Sequence, residues 1–109
     1  MNDRHFSSFY IAGFTYYDAV DVFDELTVGK PLILKAEREN PYDANAIAIY
    51  YNEAKLGYIP AGQNELLSKF FRLGYSDIFE AKISQKDEDA HPEKQIRVVV
   101  RIKEKSYNL

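Results

Sequence analysis

The stretch ERENPYDANAIAIYYNEAKLGYIP, residues 37–60, sets the turn Asn40-Pro41-Tyr42-Asp43 ahead of two runs with strand-like patterning. Pro41 restricts Asn40 to extended backbone, and Asn40 and Asp43 carry side chains that bond readily to neighbouring amides. The runs AIAIYY (46–51) and KLGYIP (55–60) read as the arms of a hairpin around Asn52-Glu53-Ala54. Gly57 marks a bulge or a close approach of two backbones. Just before the turn, PLILKAERE (31–39) opens with an edge proline and reads as a further strand, so the centre of the chain is a β-meander.

Working outward, SFYIAGFTYY (8–17) is apolar or aromatic on both faces. It is expected to be a strand in a curved sheet, bent at Gly13 and ending in Tyr16 and Tyr17. AVDVFDELTVG (19–29) has room for one turn of helix with Val20, Phe23 and Leu26 on a common side. QNELLSKFFRLG (63–74) is the clearest helix: Leu66, Leu67, Phe70, Phe71 and Leu73 recur at helical spacing. Asn64 or Gly62 suits its start and Gly74 its end. Strands beginning at Ile78 and Gln95 follow, joined by a mobile acidic tip, KDEDAHPE (86–93). About six strands and one or two flanking helices predict a mainly β fold, a small OB-like or SH3-like barrel. No repeat or linker divides the chain, so residues 1–109 are expected to form one domain with a core of about 8–102. The start at Met1 and the compact length favour a stand-alone protein.

Composition narrows the chemistry. The chain has no cysteine and two histidines, which excludes disulfides and thiolate metal sites and leaves His5 and His91 too few for a His-based centre. No cofactor is expected. With neither a signal-like segment nor an apolar run of ~20 residues, a soluble cytoplasmic protein without membrane contact is expected. The net charge of −3 argues against broad coating of duplex nucleic acid. Lys82, Lys86, Lys94, Arg97, Arg101, Lys103 and Lys105 bias the C-terminal quarter towards positive charge, a pattern also given by a solvated strand face. Phosphate-binding glycine loops, nucleophile elbows and His-x-x-x-His pairs are absent. The acidic residues Asp21, Asp24, Glu25 and Asp87 to Asp89 sit in surface-like runs, so no catalytic residue is assigned and an enzyme is disfavoured.

A binding surface remains, assembled from three places. Tyr16 and Tyr17 end the first strand, Asn40, Tyr42, Asp43 and Asn45 form the turn, and Gly57, Tyr58 and Pro60 close the hairpin. Tyrosine rings stack on bases while their hydroxyls bond phosphates, and a fixed carboxylate accepts from a sugar hydroxyl. The same residues admit a plainer reading, in which Tyr17, Tyr42 and Tyr58 pack the barrel end while Asp43 and Asn45 cap turns.

Asn-Pro-Tyr-Asp-x-Asn-Ala at 40–46 and Gly-Tyr-Ile-Pro at 57–60, preceded by FYIAGFTYYDAV and followed by an amphipathic helix, resemble the HIRAN domain. That family occurs at the N-termini of SWI2/SNF2-type DNA helicases and as small stand-alone bacterial proteins, and the resemblance spans roughly 8–102. It implies an OB-like barrel that binds single-stranded DNA and captures a free 3′-hydroxyl end in DNA repair and fork processing. By motif match, Tyr16 and Tyr42 contact the terminal nucleotides and Asp43 accepts from the 3′-hydroxyl. Asn40 and Asn45 brace the turn, and Tyr17, Tyr58 and Lys55 assist. Two positions depart from the DNA-binding relatives: Thr15 and Ala61 stand where basic residues are usual. Few phosphates should then be neutralised, giving a salt slope on the order of one to three ions. Single-stranded DNA and a helicase or repair protein are the expected partners. The alternative is a groove for a peptide or subunit in a repair or phage-defence assembly.

Overall fold

The computed structural model describes residues 4–104; Lys105, counted above in the basic C-terminal quarter, lies outside them. Six strands form the scaffold: β1 His5–Tyr10, β2 Pro31–Ala36, β3 Ile47–Tyr51, β4 Ala54–Tyr58, β5 Phe79–Lys86 and β6 Ile96–Ile102. They join in one sheet of order β1-β6-β5-β2-β3-β4, with every pair antiparallel. The period-2 alternation drives its curl. Phe79, Ala81 and Ile83 of β5 and Ile96, Val98 and Val100 of β6 point inward, where they meet Phe9, Ile11, Leu26, Ile47, Ile49 and Leu56 in one buried cluster. The expected mainly β, OB-like architecture is the observed one.

The curl brings the chain just beyond β1 against β4. Ala12 N donates to Tyr58 O (2.8 Å) and Tyr58 N to Ala12 O (2.9 Å), a two-bond bridge that joins the two margins of the sheet. Gly57 makes this approach possible. A Cβ there would lie 2.3 Å from Ala12 O and 2.7 Å from Ile11 Cγ2, and the residue holds φ at 144°.

Several boundaries differ from the sequence reading. β1 ends at Tyr10, and Tyr16 lies on a 3₁₀ turn, Phe14–Tyr16, with Tyr17 directly after it. A strand cannot continue there because the chain must fold back over the barrel margin. The helical turn is α1, Ala19–Val22, followed by a 3₁₀ turn over Phe23–Glu25. It buries Ala19 and Leu26 and leaves Val20 exposed, because the change of helix type shifts the inward face. β2 stops at Ala36, where the polar turn takes over.

The second helix, α2, spans Glu65–Arg72, shorter than expected because Ala61–Gln63 forms a separate 3₁₀ turn. Leu67 and Phe71 are buried, and Phe70 and Phe71 stack edge-on or tilted against Phe79 at 5.5 and 6.1 Å. Leu66 and Leu73 face solvent. Gly74 ends the helix at φ 88°, as its position foretold. The 86–93 connection is held by its own bonds, Asp87 N to Gln95 O at 2.8 Å among them.

Gly57→Ala should therefore destabilise the protein by roughly 2–4 kcal/mol, from overpacking plus backbone strain. Gly62→Ala, whose added Cβ meets nothing within 4 Å, should stay within about 0.5 kcal/mol of the parent. Urea denaturation of both variants reads the difference, and equal midpoints would contradict this account of the closure.

Candidate functional site

The turn after β2 is fixed by its own side chains. Asn40 Oδ1 accepts from Tyr42 N (2.9 Å) and Asp43 N (3.1 Å), and Asp43 Oδ1 accepts from Asn45 N (2.8 Å). Glu37 N donates to Ala46 O at 2.8 Å and closes the loop at its base. These interlocked Asx bonds set the local backbone. They leave Tyr42 pointing into solvent, 95% exposed.

Helix α2 and the residue before it then clamp the turn. Asn64, Ser68 and Arg72 recur every four residues on one stripe, and all three reach it. Asn64 Nδ2 donates to Asp43 Oδ2 (2.9 Å), Ser68 Oγ to Asn45 Oδ1 (3.4 Å), and the Arg72 guanidinium to Asn45 Oδ1 (2.7 Å) and Ala44 O (3.1 Å). Asn64 occupies the helix N-cap position, yet its side chain makes no cap bond and is turned to Asp43 while nearly fully buried. The bond from Asn64, followed by the Asn45 amide, holds the Asp43 carboxyl below its ordinary value. Each Asp43 oxygen retains a lone pair for a further donor.

On the barrel side, Glu37 is the hub. Its carboxylate accepts from Tyr58 OH (2.7 Å), Asn40 Nδ2 (3.1 Å) and Lys55 Nζ (2.9 Å), and Lys55 Nζ also donates to Tyr58 OH (2.6 Å). Partial burial opposes ionisation of Glu37, but the bonds from Tyr58, Lys55 and Asn40 outweigh it and its pKa falls. For Lys55, burial is likewise overcome by Tyr58 and Glu37, and the ammonium is held well above its ordinary range. Burial, with the Glu37 carboxylate, raises the Tyr58 phenol. Lys55 lies 4.9 Å from the Tyr17 ring centroid and 4.5 Å from that of Tyr58, and the two rings meet edge to face at 5.7 Å. Tyr17 is held there because Asp18 N donates to Lys55 O at 2.9 Å.

Together these pieces border an open groove of about 830 Å³, lined among others by Tyr17, Arg38, Tyr42, Asp43, Tyr58 and Asn64. Asn40 lines it too, whereas Asn45 faces a neighbouring concavity and Lys55 sits behind Tyr58 in the Glu37 network. Tyr16, 80% exposed, projects from the adjacent 3₁₀ turn outside the lining. Tyr17 and Tyr58 pack on one another, but Tyr42 packs on nothing in the core. Glu37, Arg38 and Asn64 were not among the residues assigned from the sequence. The four-residue spacing of Asn64, Ser68 and Arg72 was the available signal for the helix clamp; Glu37 needed the strand pairing that sets β2 near Lys55 and Tyr58. Among the described residues there is no group of three or more His, Cys, Asp or Glu able to hold a metal, and no helix long and apolar enough to cross a membrane.

A curled six-stranded sheet with a groove built on a side-chain-locked turn defines a small β-barrel domain of the OB-like kind. Residues 5–105 match the HIRAN domain, and the chain belongs to that family. The crystal structure of a Lactobacillus plantarum protein is similar, with 24% identity over 90% of this chain and 95% of that one and a TM-score of 0.69. The crystal structure of the HIRAN domain of human HLTF shares the fold at 16% identity over 87% of this chain and 73% of that one, with a TM-score of 0.63. No functionally curated protein matches the chain.

The lowered carboxyls make the site acid-sensitive. Groups depressed below their ordinary values, 4.5 for Glu37 and 3.8 for Asp43, contribute stability above those values and lose it as pH falls through the lowered ones. The stability of the parent should decline as pH drops from about 5 towards 3, and Glu37→Gln or Asp43→Asn should each flatten that decline. Urea midpoints measured across this range test it; parallel curves for parent and variants would be the contrary result.

Proposed function

We propose that this HIRAN domain is a non-catalytic DNA-binding module that takes single-stranded DNA by its free 3′-hydroxyl end, in repair or replication-fork processing alongside a helicase or repair protein. The observation that carries the reading is Tyr42: a ring left in solvent at the rim of a groove, on a turn whose backbone is tied by the Asn40 side chain. Leaving such a ring unpacked has no advantage for the fold, while a rigid exposed ring stacks on a base with little loss of conformational entropy. Asp43, ionised and aimed by Asn64 and the Asn45 amide, accepts from the terminal hydroxyl. Tyr17 and Tyr58 form the far wall with Lys55 behind them, and Tyr16 stands beside the entrance. Asn40 and Asn45 hold the turn in shape.

A groove for an extended peptide is the second reading, favoured by the carboxylates Glu37, Glu39 and Asp43 in the lining. It suits a basic segment of a partner protein.

Fluorescence anisotropy with a short 5′-labelled single strand at low salt separates the two. Saturable binding that prefers a 3′-hydroxyl over a 3′-phosphate is expected. Tyr42→Ala should weaken it roughly 5- to 150-fold, the equivalent of one lost base stack. Asp43→Ala should erode the preference for the hydroxyl more than the affinity. No binding of either strand would overturn the DNA reading and turn attention to the peptide.

A further inference from the structure

Two cations flank the turn that carries Tyr42, and the sequence singled out neither. Arg38 borders the groove, and its guanidinium donates to Phe71 O at 3.2 Å. Arg72, next to Phe71 in α2, is anchored on Asn45 Oδ1 and Ala44 O. It lines a second concavity of about 510 Å³ with Asn45, Gln63, Leu66 and Lys69. The two hollows have neighbouring linings: Asp43 and Ala61 border the first, and Asn45 and Gly62 border the second. Among the described residues the ion pairs are Lys55–Glu37 and Lys86–Glu88, so both arginines are tied to backbone carbonyls or an amide and neither to a carboxylate.

We propose that Arg38 and Arg72, with Lys69 beside Arg72, are the phosphate contacts of this domain, carrying the backbone of a single strand from the groove past Asp43 and Asn45 into the second hollow. This rests on the DNA-binding reading and deepens it. A guanidinium has five donors; one or two are engaged in each arginine, and the remainder lie at an exposed surface in a fixed orientation. Such anchoring removes the entropy loss that a free surface arginine would suffer on meeting a phosphate. Lys55 cannot fill the role, because Glu37 and Tyr58 hold its ammonium. Thr15 and Ala61 have no charge to offer. Glu37, Glu39 and Asp43 border the first hollow with Arg38, and Glu65 borders the second with Arg72 and Lys69; of these, Glu37 is paired with Lys55 and Asp43 is the acceptor assigned to the terminal hydroxyl. Leu66, 58% exposed, gives the second hollow an apolar face for a base or sugar.

Salt-dependent anisotropy tests this with Arg38→Gln, Arg72→Gln, Arg72→Lys and, as a charge-matched control, Arg97→Gln, which removes a cation stacked on Tyr10 on the outer face of β6. Each Gln variant at 38 or 72 should lower the slope of log K against log salt by about 0.7, which corresponds to about 8-fold in affinity between 1 M and 50 mM salt. The ratio of 3′-hydroxyl to 3′-phosphate affinity should stay at the parent value in Arg38→Gln, whereas Arg72→Gln, which also unpins Ala44 and Asn45, should change it together with the slope. Arg72→Lys should restore most of the slope, and Arg97→Gln should leave it unchanged. If Arg72 merely pins the turn, its loss would instead change the end preference with the slope intact, which overturns the proposal. Parent-like slopes in both Gln variants would overturn it while end capture stood. Failure of the parent protein to bind any strand would remove the DNA reading and this proposal together.

Discussion

The structure depends on one contact: the backbone of Ala12 lying directly against Gly57 so that Ala12 and Tyr58 exchange hydrogen bonds. An open six-stranded sheet has two free margins, and free margins are exposed donors and acceptors. The bridge satisfies the backbone groups of Ala12 and Tyr58 and helps enclose the apolar faces of β5 and β6. It also decides where the aromatic wall stands. Residues 13–18 must turn sharply after the bridge, and that turn delivers Tyr17 onto Tyr58 and Asp18 onto Lys55. The only side chain that permits this at position 57 is a hydrogen atom.

The turn at 40–45 is held from two sides by different chemistry. From the helix and the residue before it come an amide, a hydroxyl and a cationic guanidinium donor in a four-residue stripe, and from the barrel comes a single carboxylate, Glu37, that gathers Asn40, Tyr58 and Lys55. Amphipathic helices are usually read for their apolar face. Here the apolar face of α2, Leu67 and Phe71, docks the helix, and its polar face shapes the loop next to it. An exposed aromatic ring on a rigid support is the result. Binding to such a ring loses less entropy than binding to one on a mobile loop.

The charge distribution follows the same logic. The protein is net acidic, and Lys55, the cation behind the groove wall, is paired with Glu37. Basic groups at the rim, anchored to carbonyl oxygens rather than to carboxylates, keep their positive field available to a ligand. A long-range basic surface would favour duplex binding anywhere along its length, whereas sparse fixed cations around a rigid aromatic turn suit recognition of a strand at one place.

Much of this was legible in the amino-acid order. Period-2 alternation, turn residues at 40–43 and 52–53, the helical spacing of Leu67, Phe70 and Phe71, and the glycines at 57 and 74 are local signals, and local signals determined the β-rich class, the hairpin, the helix and the family. Which tyrosines are free and which are packed was not legible, because Tyr17, Tyr42 and Tyr58 are chemically alike and differ only in what the folded chain sets beside them. The end of β1 was misplaced for the same reason: aromatic residues at 14–17 have strand propensity, and the need to cross the barrel margin overrides it. Glu37, Lys55, Asn64 and the two arginines acquire their roles from contacts across 18 to 33 residues of sequence, Lys55 with Glu37 and Arg38 with Phe71 among them. Only sheet closure and helix docking bring those groups within bonding distance, so tertiary structure alone decided how the turn is held and where charge remains for a ligand.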